Sequence, residues 1–128
     1  MYPLVDHVAN KVIATFDGHG PDKRIPSTRF RDLVDLVAIA LAATIEAEPQ
    51  IKALESEASR RNLSLPELFD VPDRALWERG YAAEPRRSLL PIAHELDEAL
   101  GVVRPFLDPL LDGTARGTWD PGQRAWIS

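Results

Sequence analysis

The 128 residues contain no cysteine. That excludes a disulfide framework, a thiolate nucleophile, Cys-ligated zinc and an iron–sulfur cluster. Aromatics are scarce at 7%, and β-branched residues do not alternate with polar ones, so there is little to build a β-sandwich from. Positive charge is not in excess: 15 Lys plus Arg face 20 Asp plus Glu, a net charge of -5. No basic field therefore covers the whole chain, and any contact with a polyanion must be local. The longest apolar run, Leu36 to Ala43, falls well short of the roughly 20 residues of a membrane span, and no basic, apolar, cleavable leader opens the chain. A cytoplasmic protein without membrane contact is expected. Hydrophobic residues at 45% are nevertheless enough for a core.

The apolar positions recur every three or four residues, which is the helical period. Val5, Val8, Ala9, Val12, Ile13 and Phe16 share one face of a first helix over about Leu4 to Phe16, which Gly18, Gly20 and Pro21 terminate. A second helix is predicted from a cap at Ser27 or Thr28 to about Ala47. It is apolar nearly all round and should run through the centre. Pro49 suits the first turn of a third helix ending near Arg61, Ser64 to Phe69 reads as a short helical turn, and Asp73 opens another helix before Trp77. Ser88 to Asp112 carries helical spacing with Pro105 inside it, which predicts a kink or break and two packed pieces. The expectation is an all-α fold, a single compact bundle of about five helices over residues 1–128, with an irregular tail from 113 to 128. The tail would fray unless Trp119 and Trp126 dock.

Chemistry concentrates at the start of the central helix, Arg29-Phe30-Arg31-Asp32-Leu33-Val34-Asp35-Leu36. Asp32 and Asp35 share a helix face, and Arg31 lies four residues before Asp35, the spacing of a local ion pair. This pattern serves equally as a stabilised helix start, because carboxylates in a first turn meet the positive end of the dipole. Its position argues for more: charge directly ahead of the most apolar helix lies where a buried scaffold meets solvent. Lys11 projects from the first helix away from its apolar stripe, near His7 and Asn10, where a lysine either solvates the helix or holds phosphate as a point charge. Lys23 and Arg24 join Arg29 and Arg31 in a small basic cluster. Residues 1–35 balance five basic groups against five acidic ones, so the net negative charge lies downstream and the N-terminal end is the better place for a phosphate.

Other chemistries have little support. His7, His19 and His94 lack metal-ligand spacing, Gly18-His19-Gly20 has no phosphate-loop pattern, and no serine sits in a nucleophile elbow. No metal site is expected on these residues alone.

Tyr2-Pro3-Leu4-Val5-Asp6-His7-Val8-Ala9-Asn10-Lys11-Val12, followed about twenty residues later by the Arg29 to Leu36 octapeptide, resembles the C-terminal, helical half of the AbiEii-type nucleotidyltransferase toxins of type IV toxin–antitoxin and abortive-infection systems. In that half one motif ends in a lysine on a helix and the next reads Arg-Asp, then an aromatic or apolar residue and Asp-Leu. The resemblance implies that Lys11 contacts the triphosphate of a bound nucleotide and that Asp32, with Asp35 as the second carboxylate, positions groups around the reacting phosphate. Asp32 and Asp35 are the candidate catalytic residues, and Arg29 and Arg31 of the basic cluster are candidate phosphate ligands beside Lys11. It also implies Mg²⁺ as cofactor, an RNA or protein acceptor, and a cognate antitoxin or a nucleotidyltransferase N-terminal half as partner. The family's Gly-Gly or Gly-Ser turn with a nearby Asp-x-Asp, which holds the metal, has no counterpart in the 128 residues. Inactivity of this portion by itself is the corresponding expectation. The contrasting expectation is a non-catalytic helical interaction module whose partner, another protein or a second copy, covers Phe106 to Leu111 and the tail tryptophans.

Overall fold

A computed structural model describes residues 3–18, 22 and 24–128. Among them are five α-helices, α1 (Leu4–Phe16), α2 (Phe30–Ala42), α3 (Ala47–Arg60), α4 (Arg74–Ala83) and α5 (Leu96–Leu111), a 3₁₀ turn at Pro85–Leu89, and strands β1 (Ile45–Glu46), β2 (Thr118–Asp120) and β3 (Ala125–Ile127). The fold is mainly helical. No helix is long and apolar enough to cross a membrane.

The apolar stripes account for the packing. Val8, Val12 and Ile13 of α1, Leu33, Leu36 and Val37 of α2, Leu54 of α3 and Leu100, Val103, Phe106 and Leu107 of α5 are all buried in one core. As its composition predicts, α2 is central, packing against α1, α4 and α5. It starts without a side-chain cap: Arg29 is the N-cap residue, and the Ser27 hydroxyl instead donates to the backbone oxygen of Thr15 on α1 (2.7 Å). By contrast Asp73 caps α4 as expected, accepting from the Leu76 N–H at 3.0 Å.

Four expectations need correction. The second helix stops at Ala42 rather than near Ala47, because Ile45 and Glu46 pair antiparallel with Trp119 and Thr118 of the tail. Tertiary pairing overrides the local helical pattern there. Residues 118–127 of the tail are accordingly a β-hairpin, β2 with β3, in which Trp119 faces Trp126. Trp119 is fully buried and donates its indole N–H to Ala40 O at 2.8 Å; Trp126 donates to Phe106 O at 3.1 Å and stacks on the Phe106 ring. Gly117 enters the hairpin at φ +73°, and a Cβ there would lie 2.1 Å from Ile127 O, so both conformation and space call for glycine. Third, α5 runs unbroken through Pro105 and Pro109. Pro105 is exposed and Pro109 only half-buried, so water can take the carbonyls they free. The separation falls earlier, at residues 90–95, which are bends and irregular chain, and 64–69 is irregular chain, bent at 67–68, without a helical turn.

Candidate functional site

Lys11 lies on the part of α1 that faces the first turn of α2. Its Nζ donates to Asp35 Oδ2 at 2.9 Å and lies 3.4 Å from Asp32 Oδ1. The Arg29 Nε donates to the other oxygen of Asp32 at 2.6 Å. The other oxygen of Asp35 accepts from Arg86, at 3.4 Å, across a sequence separation of 51. Each carboxylate is thus held between two cations. The Asp32 side chain is only 10% exposed, and each of its oxygens is met by a cation.

These residues line one groove of about 510 Å³, formed by Lys11, Thr28, Arg29, Arg31, Asp32, Asp35 and Arg86. Four cationic and two anionic side chains leave an excess of two positive charges, in a chain whose net charge is -5. Arg31 is exposed and makes no ion pair among the described residues. The local Arg31 to Asp35 pair expected from their spacing is not formed; the Asp35 oxygens face Lys11 and Arg86 instead.

The groove's wall is set by packing behind it. Trp77 of α4 donates its indole N–H to Ser27 O (3.0 Å), and its ring meets Phe30 edge-on at 4.9 Å. Phe30 in turn lies over Gly80, where a Cβ would come within 2.1 Å of the ring. This close approach sets the start of α2 on α4, and with it the side chains that Arg29 to Asp35 present.

Sequence reasoning therefore brought five of these residues together: Lys11, Arg29, Arg31, Asp32 and Asp35. It missed Arg86, which sits in an Arg-Arg pair after Pro85 with nothing in its spacing to relate it to Asp35. Of the remaining basic cluster, Arg24 pairs with Asp22 in an exposed position and does not line the groove, while Lys23 lies outside the described residues, as do His19, Gly20 and Pro21. The apolar residues that a partner protein would cover, Phe106, Leu107, Leu110, Leu111 and Trp119, are buried within the chain itself.

The implied Mg²⁺ does not fit these side chains. Both carboxylates already face cations, and no three His, Asp or Glu converge among the described residues. A site for a hard dication needs several oxygen ligands and a surplus of negative charge. The donor set has the opposite character and suits an anion with several charges, such as a triphosphate.

The fold presents a helix-borne lysine and an Arg-Asp helix start around a groove with an excess of positive side chains. The model of the family described as nucleotidyl transferase AbiEii toxin, type IV toxin–antitoxin system, matches residues 1–102. The chain belongs to this family of nucleotidyltransferase toxins, and every groove residue lies inside the match. Comparison with curated proteins and with solved structures gives no match.

Proposed function

We propose that this chain is the helical, nucleotide-holding portion of a nucleotidyltransferase toxin that moves a nucleotide from a nucleoside triphosphate to a hydroxyl of an RNA or protein acceptor. The observation that carries the reading is the charge excess of the groove: four cations surround two carboxylates. In this reading Lys11 is the point charge that holds the triphosphate, Arg29 and Arg31 flank it, and Asp32 positions groups around the reacting phosphate with Asp35 as its second carboxylate. A bound nucleoside triphosphate would supply the transferable group; Lys11 and the arginines orient it and neutralise its charge. The metal-holding carboxylates would have to come from outside these 128 residues, so the portion by itself is inactive. Its partner is then the half that carries those carboxylates, and the antitoxin is the second partner that membership of a toxin–antitoxin family suggests.

Titration calorimetry of the chain with Mg²⁺ and each of the four nucleoside triphosphates tests this, beside Lys11→Ala and Asp32→Ala. Saturable binding to at least one nucleotide, lost in Lys11→Ala and retained in Asp32→Ala, which adds to the positive excess, is the expected result. No heat with any of the four removes the reading and leaves the groove as a stabilised helix start.

A further inference from the structure

Arg86 and Arg87 are neighbours with opposite employment. Arg87 fastens the chain: its Nε donates to Ala82 O at 2.8 Å and one terminal nitrogen donates to His94 O at 2.7 Å. Glu84 caps the turn by accepting from the Arg86 N–H, and the Ser88 hydroxyl donates to Pro85 O at 2.8 Å. The backbone of the 3₁₀ turn is thereby tied down by its own residues, and it packs on α2. Arg86 projects from this fixed base, is exposed, and among the described residues its side chain reaches only Asp35, through one contact of 3.4 Å. That is longer than the 2.7–2.9 Å of a strong charge-assisted hydrogen bond. A guanidinium carries five donors, and this one uses a single long bond.

We propose that Arg86 is a specificity-determining residue of the groove: it leaves Asp35 to grip the far end of a polyphosphate whose near end is held by Lys11. The inference rests on the triphosphate reading above and deepens it by assigning the recognition of phosphate-chain length. Lys11 and Arg86 take opposite oxygens of the same Asp35 carboxylate, so they stand on either side of it. A single phosphate meets Lys11 and its flanking arginines, whereas a longer chain spans past Asp35 to the guanidinium. An incoming anion also replaces the partner that Arg86 gives up, so no cation is left without a counter-charge. The Arg86 bond broken is the weakest of the groove's carboxylate contacts by geometry, equalled in length only by that of Lys11 to Asp32.

The test uses the whole chain and inorganic phosphate, pyrophosphate and tripolyphosphate as probes, with affinities from calorimetry at fixed ionic strength. Arg86→Ala is expected to weaken tripolyphosphate about tenfold while leaving phosphate within about twofold, and Arg86→Lys to recover part of the loss, since a lysine restores the charge without the bidentate fork. An equal loss for all three probes, or no loss for any, overturns the assignment while the groove reading stands. If the unaltered chain binds none of the three, the groove reading itself fails and this inference falls with it. A loss of thermal stability in Arg86→Ala matched by Arg86→Lys, with no change in length preference, would make the residue a structural clasp and likewise overturn the proposal.

Discussion

Two of the ion-pair clusters on this molecule differ in a way that salt-bridge counting conceals. At the end of α3, Glu57 accepts from Arg60 (2.7 Å) and Arg61 (2.8 Å), and Arg61 also pairs with Asp17. Among the described residues, two arginines meet two carboxylates there. In the groove, Lys11, Arg29, Arg31 and Arg86 meet only Asp32 and Asp35. Both clusters hold a nearly buried carboxylate, and both tie elements together that are distant in sequence. In these pairs at Glu57 cations and carboxylates are equal in number, while in the groove cations outnumber carboxylates four to two, the excess on which the proposed anion site rests. Excess charge at a site whose geometry is already held by packing is the physical mark of a binding surface.

The largest effect that would sharpen this contrast is expected at Lys11. Lys11→Met keeps most of the apolar stem and removes the charge. Tripolyphosphate affinity should fall at least ~100-fold, about 2.8 kcal/mol, while chemical denaturation shows a folding loss of about 1 kcal/mol or less. Asp32 keeps Arg29 and Asp35 keeps Arg86 in that variant, so neither carboxylate is stranded. A folding loss as large as the binding loss would make the groove another structural cluster and dissolve the comparison.

Glu57→Gln is the mirror experiment, expected to cost about 1–2 kcal/mol of folding stability and nothing in anion affinity. Burial raises the Glu57 pKa, but hydrogen bonds and charge from Arg60 and Arg61 outweigh it and hold the carboxyl below its ordinary 4.5. A folded pKa below the unfolded value means that this stability is fully present above about pH 4.5 and disappears as pH falls through the lower folded value. Denaturation curves from pH 6 down to pH 3, taken with both proteins, should therefore converge on the acid side. Curves that stay parallel would show that the pairs at Glu57 do not titrate with folding.

How much of this was legible beforehand follows from the range of each interaction. The span of α1, the central place of α2, and the company of Lys11, Arg29, Arg31, Asp32 and Asp35 were readable because helical period and motif order are local. The hairpin was not, since β1 is two residues inside an apolar run and exists only because Trp119 pairs with Ile45 and reaches Ala40. Nor was Arg86, which finds Asp35 only after α4 has been set on Phe30. The Arg31 to Asp35 spacing was legible and misleading: a cation from another helix competes for the same oxygens, and spacing along one helix says nothing of it.

The glycine that links α4 to the groove offers a third test, of intermediate size. Gly80→Ala places a methyl against the Phe30 ring, which is confined by Trp77, so the cost should be about 1 kcal/mol of stability with a parallel few-fold loss of anion affinity. Adding Phe30→Leu should recover both together. Recovery of stability without affinity would separate the packing from the groove and show that the position of α2 does not tune it.

The smallest expected effect discriminates best. Arg31 is exposed, lines the groove and makes no ion pair among the described residues, so Arg31→Ala should leave folding stability within about 0.5 kcal/mol. If unbalanced charge is what the groove offers an anion, tripolyphosphate affinity should nonetheless drop roughly three- to fivefold at low salt, and the difference should shrink as added salt screens it. Arg60→Ala, which removes an exposed guanidinium from the pairs at Glu57, serves as the control and should leave affinity untouched. Equal affinities for Arg31→Ala and the unaltered chain would mean that the two positive charges in excess are incidental, and that only the paired cations matter. The distinction between the clusters would then rest on Lys11 and its geometry rather than on charge balance.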